Sequence, residues 1–141
     1  MTDLTIRSGG WAALQKDAKL IREQVFIQEQ NIPVEDEWDE QDAVALHFVV
    51  YDHTHPVATA RLLQNNSIGR VAVLQSHRGL GIGKMIMLHM IEQAKEQQRQ
   101  FLKLSSQVHA IQFYAGLGFV AQGDEYLDCG IPHIDMQMCL S

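Results

Sequence analysis

Apolar and polar positions alternate, cluster and break along this chain in a way that divides it into short regular elements. LTIRS at residues 4–8 predicts a first strand. From Trp11 to about Gln28, the apolar residues Leu14, Ala18, Ile21, Val25 and Phe26 recur at three- and four-residue spacing with charge between them, which predicts an amphipathic helix. Pro33 and an acidic stretch then break regular structure. ALHFVVYD (45–52), VATARLL (57–63) and SIGRVAVL (67–74) are strand-like runs separated by His-Thr-His-Pro and by Asn65-Asn66, so three strands follow one another through tight turns. Ile82 to about Gln98 predicts a helix, apolar on most faces in its first half and polar in its second, hence buried at one end. FLKLSS (101–106) predicts a strand, and HAIQFYAGLGF (109–119) a short helix that ends at Gly116 or Gly118. YLDCGIPHIDMQMCL (126–140) has room for one last strand or two. The order β, α, three β, α, β, α, β predicts an α/β fold with a mixed central sheet flanked by helices.

Composition narrows the class. A chain of 141 residues with 46% hydrophobic and 20% charged residues reads as one globular domain over 1–141. No apolar stretch approaches the roughly 20 residues of a membrane span, and the N-terminus has no signal-peptide layout, so the expected location is cytoplasmic. Cys129 and Cys139 form neither a CxxC pair nor a zinc pattern, so no metal is expected and both read as plain interior or near-terminal thiols.

The formal net charge of −6 has a local origin. Glu35, Asp36, Glu37, Asp39, Glu40 and Asp42 fall within eight residues that hold no base, and setting them aside leaves acids and bases equal in number. No basic stripe remains for nucleic acid.

The candidate chemistry lies in VAVLQSHRGLGIGKMIML (71–88), where a β-branched run gives way to three glycines and a helix. The first turn of a helix has backbone N–H groups without partners and a partial positive charge. Gly79, Gly81 and Gly83 let an anion approach them, with Arg78 and Lys84 alongside, so the stretch suits phosphates. The nucleoside-triphosphate loop G-x-x-x-x-G-K-[ST] fails twice: Arg78 stands five residues before Gly83, and Met85 follows Lys84. The dinucleotide fingerprint fails because Lys84 occupies the third glycine position and no acid follows at the required distance.

Arg78-Gly-Leu-Gly81-Ile-Gly83 does match Q/R-x-x-G-x-G/A, the pyrophosphate loop of the GNAT superfamily of N-acetyltransferases. QFYAGLGF resembles that family's F-Y-x-x-x-G-F segment, and the order of elements is similar from end to end. VFIQEQNIPVEDEWDEQD, IGRVAV, LSSQVHAIQFYAGLGF and GIPHIDM resemble its YjcF-like and ElaA-like branch. That branch is in turn similar to glucosamine-phosphate N-acetyltransferases.

The resemblance implies acetyl transfer from acetyl-CoA, as co-substrate, to a primary amine of a small molecule or peptide by direct attack, and leaves room for a homodimer. It assigns the pantetheine arm to the backbone of Val71, Ala72 and Val73. The pyrophosphate goes to the N–H groups of Arg78, Gly79, Leu80, Gly81, Ile82, Gly83 and Lys84. The Val73 N–H becomes the oxyanion donor and Tyr114 the general acid, a phenol with pKa near about 10 that stays protonated at neutral pH. His47, Glu29 and His133 are the base candidates; each also reads as an ordinary core histidine or surface carboxylate. His89 reads as structural, and His77 as a loop residue within reach of a phosphate. The acidic run reads either as a cluster that attracts a cationic acceptor or as a solvated loop anchored by Trp38. Arg61 and Arg70 read either as a site for an anionic acceptor such as a sugar phosphate or as ion-pair partners. The rivals at class level are an amino-sugar N-acetyltransferase, a non-catalytic CoA-binding module and a pure interaction domain.

Overall fold

A computed structural model describes residues 3–140. Its centre is a seven-stranded sheet in the order β1-β2-β3-β4-β5-β7-β6. The strands are β1 (Leu4–Gly9), β2 (Leu46–Asp52), β3 (His55–Leu62), β4 (Ser67–Val73), β5 (Phe101–Gln107), β6 (Val120–Asp128) and β7 (Ile131–Cys139). The helices are α1 (Trp11–Arg22), α2 (Val34–Glu37), α3 (Ile82–Glu96) and α4 (Ile111–Leu117). β1 to β4 run antiparallel in sequence order, and β5, β7 and β6 form a second antiparallel set.

β2 is buried on both faces, which is why its sequence is an unbroken apolar run rather than an alternation. Phe48 and Val50 join the core under α3, with Ile86, Met87 and Met90. Val49 and Tyr51, one residue out of phase, join Leu14, Ala18, Ile21, Val25 and Phe26 under α1. His89, edge-on to Phe48 at 5.8 Å between ring centroids, belongs to the packing.

β4 and β5 are parallel but pair only at Ser67↔Lys103 and Ile68↔Leu104. Beyond that point β4 carries a bulge against β3, with Arg70 at φ 52°, and the two strands part. A bulge adds local twist, here at the seam where the halves of the sheet meet. The split between β4 and β5 is the cleft.

Three expectations change. The first helix is α-helical only to Arg22; Glu23–Glu29 continues as a π-helix, still directing Val25 and Phe26 inward. The tail forms two strands, and β6 begins at Val120, well before the predicted run. All nine of its residues are exposed on an outer edge, so it has no apolar face to reveal itself. The acidic run is not one solvated loop. Glu37 and Asp42 are 2% and 3% exposed and close a buried network. Arg22 reaches Glu37 at 2.7 Å and Asp42 at 2.8 Å, Arg61 reaches Asp39 and Asp42 at 2.7 and 2.8 Å, and Arg70 reaches Glu37 at 3.2 Å. Three acids of the run are thereby neutralised by three arginines from α1, β3 and β4.

Candidate active site

The cleft between β4 and β5 has a volume of about 1190 Å³. One wall is the free edge of β4. Leu74 donates to the Val57 carbonyl of β3 at 2.9 Å, so by strand alternation the N–H and C=O groups of Val71 and Val73 point the other way, into the cleft. The Val73 carbonyl already accepts from Arg78 Nε at 2.9 Å on that side.

The wall continues into the glycine loop and α3. Gly79 and Gly81 have φ of 77° and 80°, values that L side chains rarely adopt, and a Cβ at either would meet no atom within 4 Å. The backbone there is bare and open. Gly81 caps α3 with no side chain doing so, and the first helical bond runs from Met85 N–H to the Gly81 carbonyl at 3.0 Å. The N–H groups of Ile82, Gly83 and Lys84 therefore point out of the helix end with no acid in the first turn to take them. Gly83 faces Phe113 of α4, 3.5 Å from where a Cβ would stand, so the loop and α4 approach closely. Unpaired N–H groups, positive-φ glycines and a free strand edge fit a pyrophosphate followed by an amide-bearing arm.

The opposite wall comes from α4, the π-helix and the β6–β7 hairpin. Tyr114 lines the cleft, packed edge-on against Phe113 and Phe119 at 5.0 and 6.1 Å. Burial pushes its phenol up to about 12, so it keeps its proton. The end of the π-helix straddles the split. Glu29 makes a double contact with Arg78 at 2.6 and 2.7 Å, and Gln30 accepts from Gln107 of β5 at 3.0 Å.

The three expected bases separate. His47 is outside the cleft: its ring is buried against Trp11 at 4.7 Å, its Nε2–H donates to the Asp42 carbonyl at 2.8 Å, and burial lowers its pKa. Glu29 is in the cleft, but its hydrogen bonds with Arg78 hold its carboxyl below the usual range. His133 of β7 also lines the cleft. It donates Nδ1–H to the Ile131 carbonyl at 2.7 Å, which in the neutral ring leaves Nε2 a free lone pair. His77 does not offer itself to a phosphate, since Nε2 donates to Asp52 at 2.9 Å and Nδ1 accepts from Ser76 at 2.8 Å.

Sequence reasoning missed the hairpin tip. Cys129, read as a plain interior or near-terminal thiol, is exposed at the β6–β7 turn, in a left-handed conformation beside Gly130. Its Sγ lies 3.7 Å from Asp36 of α2, a contact between segments 93 residues apart. Burial, with Asp128 and Asp36 beside it, pushes this thiol up. The Cys-Gly pair between strand-like runs was a legible turn signal, but nothing local marks it as a neighbour of the acidic run.

A family model for an acetyltransferase (GNAT) domain matches residues 15–140. YjcF of Bacillus subtilis, named as an uncharacterized N-acetyltransferase, is 40% identical over 125 residues, covering 86% of this chain and 89% of its own. ElaA of Escherichia coli is 32% identical over 120 residues, covering 79% and 78%. Its crystal structure superposes with a TM-score of 0.88 at 26% identity, over 96% of this chain and 99% of that one. An acyl-CoA N-acyltransferase from Pseudomonas aeruginosa superposes with a TM-score of 0.87 at 30% identity, over 96% and 99%.

Proposed function

The chain belongs to the GNAT acetyltransferase family, and from that premise we propose that it moves an acetyl group from acetyl-CoA to a primary amine of a small molecule. The observation that carries this reading is the continuity of the cleft. A free backbone edge at Val71–Val73 leads without interruption into the unpaired N–H groups at the start of α3, with the Tyr114 side chain on the facing wall. Acetyl-CoA would supply the acetyl group as a thioester with a thiolate leaving group. The chain supplies the rest. N–H groups of the glycine loop and of Ile82 to Lys84 would hold negative charge, and the Val73 N–H, which faces the cleft, is the donor assigned to the oxyanion. Tyr114, kept neutral by burial, holds a proton for the departing sulfur. The Tyr114 hydroxyl has no hydrogen-bond partner among the described residues and is absent from the buried orphan atoms, so it opens to the cleft. We assign the base role to His133 rather than to His47 or Glu29, because of these three only its Nε2 combines a place in the cleft with an uncommitted lone pair.

The amino-sugar alternative is weakened by the ion network. Arg61 is buried and paired, and Arg70, although in the cleft, is engaged by Glu37 and Asp39. Neither cation is spare for a phosphate. The test is release of free thiol from acetyl-CoA on an amine panel, comparing the natural chain with His133→Gln. Replacement of the base should lower kcat on the order of 10²-fold or more while the melting shift produced by acetyl-CoA is kept. Full activity in that variant removes His133 from the mechanism; absence of both melting shift and thiol release in the natural chain removes the reading itself.

A further inference from the structure

The carboxylates that line the cleft are not equivalent. Glu29 is held by Arg78, and Glu37 by Arg22 and Arg70. Asp36 and Asp128 have no ion-pair partner among the described residues, and both face the cleft. They come from opposite lips, α2 and the β6–β7 hairpin, and meet across the Cys129 thiol, which lies 3.7 Å from Asp36. Two exposed carboxylates without an ion-pair partner, set around the Cys129 thiol at one end of the cleft, attract a positive guest.

An independent observation gives that guest a second end. His133 is 9% exposed, and its Nε2 has no partner among the described residues. Among the described residues only Arg61 Nε is a buried orphan atom, so His133 Nε2 opens into the cleft rather than into packed protein. The hairpin register relates the two features. His133 lies opposite Tyr126, and Asp128 opposite Ile131. Directly opposed residues share a face, and the stacked Tyr126 and His133 rings, 6.1 Å apart, follow that rule. His133 and Asp128 are therefore diagonal neighbours on the cleft face, with Cα atoms about 7–8 Å apart. Ile131 offers an apolar side chain beside that diagonal.

We propose that the acceptor is a short alkane diamine, with one nitrogen presented to His133 and the other held as an ammonium between Asp36 and Asp128. This rests on the acetyl-transfer reading of the same cleft. The nitrogen at His133 attacks as the free amine and passes one proton to Nε2 as its bond to the acetyl carbon forms, so the product is a neutral amide; the thioester C–S bond breaks with the Tyr114 proton going to sulfur, and the imidazolium and phenolate return to neutral by proton exchange with solvent. The far nitrogen keeps its charge throughout. Side chains that stand off one face at that backbone spacing match an alkyl chain of about four or five carbons between the two nitrogens. A monoamine fills the reacting end and leaves both carboxylates without a cation.

Two measurements test this. Thiol release is followed with ethylenediamine, putrescine and cadaverine against butylamine, pentylamine and glucosamine 6-phosphate. Putrescine is also titrated calorimetrically into the protein without cofactor. The proposal expects putrescine or cadaverine to exceed its monoamine counterpart in kcat/KM by about tenfold or more, the usual worth of a hydrogen bond to a charged group. Ethylenediamine should lose most of that advantage. An Asp36→Asn, Asp128→Asn double variant should bring diamine and monoamine to within about twofold and weaken putrescine binding. Glu35→Gln and Glu40→Gln, in the same run but outside the cleft, should keep the preference. Equal rates for diamine and monoamine, a preference that survives the double variant, or a faster phosphorylated amino sugar would each overturn the proposal. If no amine releases thiol, the acetyl-transfer reading fails first; putrescine binding that the double variant abolishes then still supports the subsite, and absence of binding sinks it.

Discussion

Along β4 and into α3 the cleft is made of backbone: strand amides, positive-φ glycines and the first turn of a helix, contributed by residues 71–84 in unbroken sequence. At the other end it is made of side chains from separate places: Glu29 and Gln30 from the π-helix, Asp36 from α2, Tyr114 from α4, Asp128 and His133 from the hairpin. A backbone site recognises what its ligands have in common, charge and amide geometry, and is insensitive to most substitutions. A side-chain site recognises what differs between ligands, and one substitution can change its preference. On the proposed reading, the same molecule thus has a general end for the activated group and a particular end for its acceptor.

The hardest blow to this division falls where the two ends meet. Tyr114→Phe keeps the ring between Phe113 and Phe119 and removes only the hydroxyl. We expect kcat and kcat/KM to fall together by about 10²–10⁴-fold, with the acetyl-CoA melting shift unchanged. Wild-type kcat on an accepted amine would take Tyr114 out of the chemistry.

Next in size is a change of stability behind the acceptor end. Asp42→Asn leaves the buried Arg22 and Arg61 without their shared carboxylate, a loss of about 3–5 kcal/mol measurable by urea unfolding. The pH dependence follows from the same groups. The hydrogen bonds from Arg61 hold Asp39 down; for Asp42, burial alone would raise it, but Arg22 and Arg61 outweigh burial and its pKa is also lowered. A lowered carboxyl stabilises the fold fully above its unfolded value near about 4 and ceases to do so as pH falls through the folded value. Glu37, raised by burial against the pull of Arg70 and Arg22, acts in the opposite sense. Stability should therefore decline on acidification, and the decline should be shallower in Asp42→Asn. An identical acid limb in both proteins would show that the network does not govern it.

At the backbone end the expected effects are smaller and more selective. Gly81→Ala adds only the strain of a left-handed residue, on the order of 1–2 kcal/mol, into open space. Gly81→Asp adds the same strain and a negative charge beside the unpaired N–H groups, so it should lose the acetyl-CoA melting shift that Gly81→Ala largely keeps. Equal shifts in the two variants would remove the loop from the anion site.

The smallest change concerns the contact that bridges the two walls. Glu29→Gln frees Arg78 from an exposed ion pair, and exposed pairs contribute about 0–1 kcal/mol. Acetyl-CoA affinity should move by no more than a few-fold, most simply upward, because Arg78 no longer has a competing carboxylate. A collapse of activity would instead restore Glu29 as a base.

Local pattern accounts for the regular elements. The unbroken apolar run of β2, the helical spacing of Leu14, Ala18 and Ile21, and the spacing of Arg78, Gly79, Gly81 and Gly83 specify their elements through neighbours a few residues away. The α/β class and the glycine turn that opens α3 were therefore readable without coordinates. Which charges are spent depends instead on contacts between distant segments. Glu37, Asp39 and Asp42 meet arginines of α1, β3 and β4, while Asp36, from the same run, is left facing Cys129 across 93 residues of chain. His47 and His133 are alike in sequence, each a histidine in an apolar strand, yet one is sealed under Trp11 and the other opens into the cleft. The reason is physical: backbone conformation follows mainly from local sterics and hydrogen bonding, whereas the burial and pairing of a charge depend on whatever the folded chain brings within a few ångströms of it.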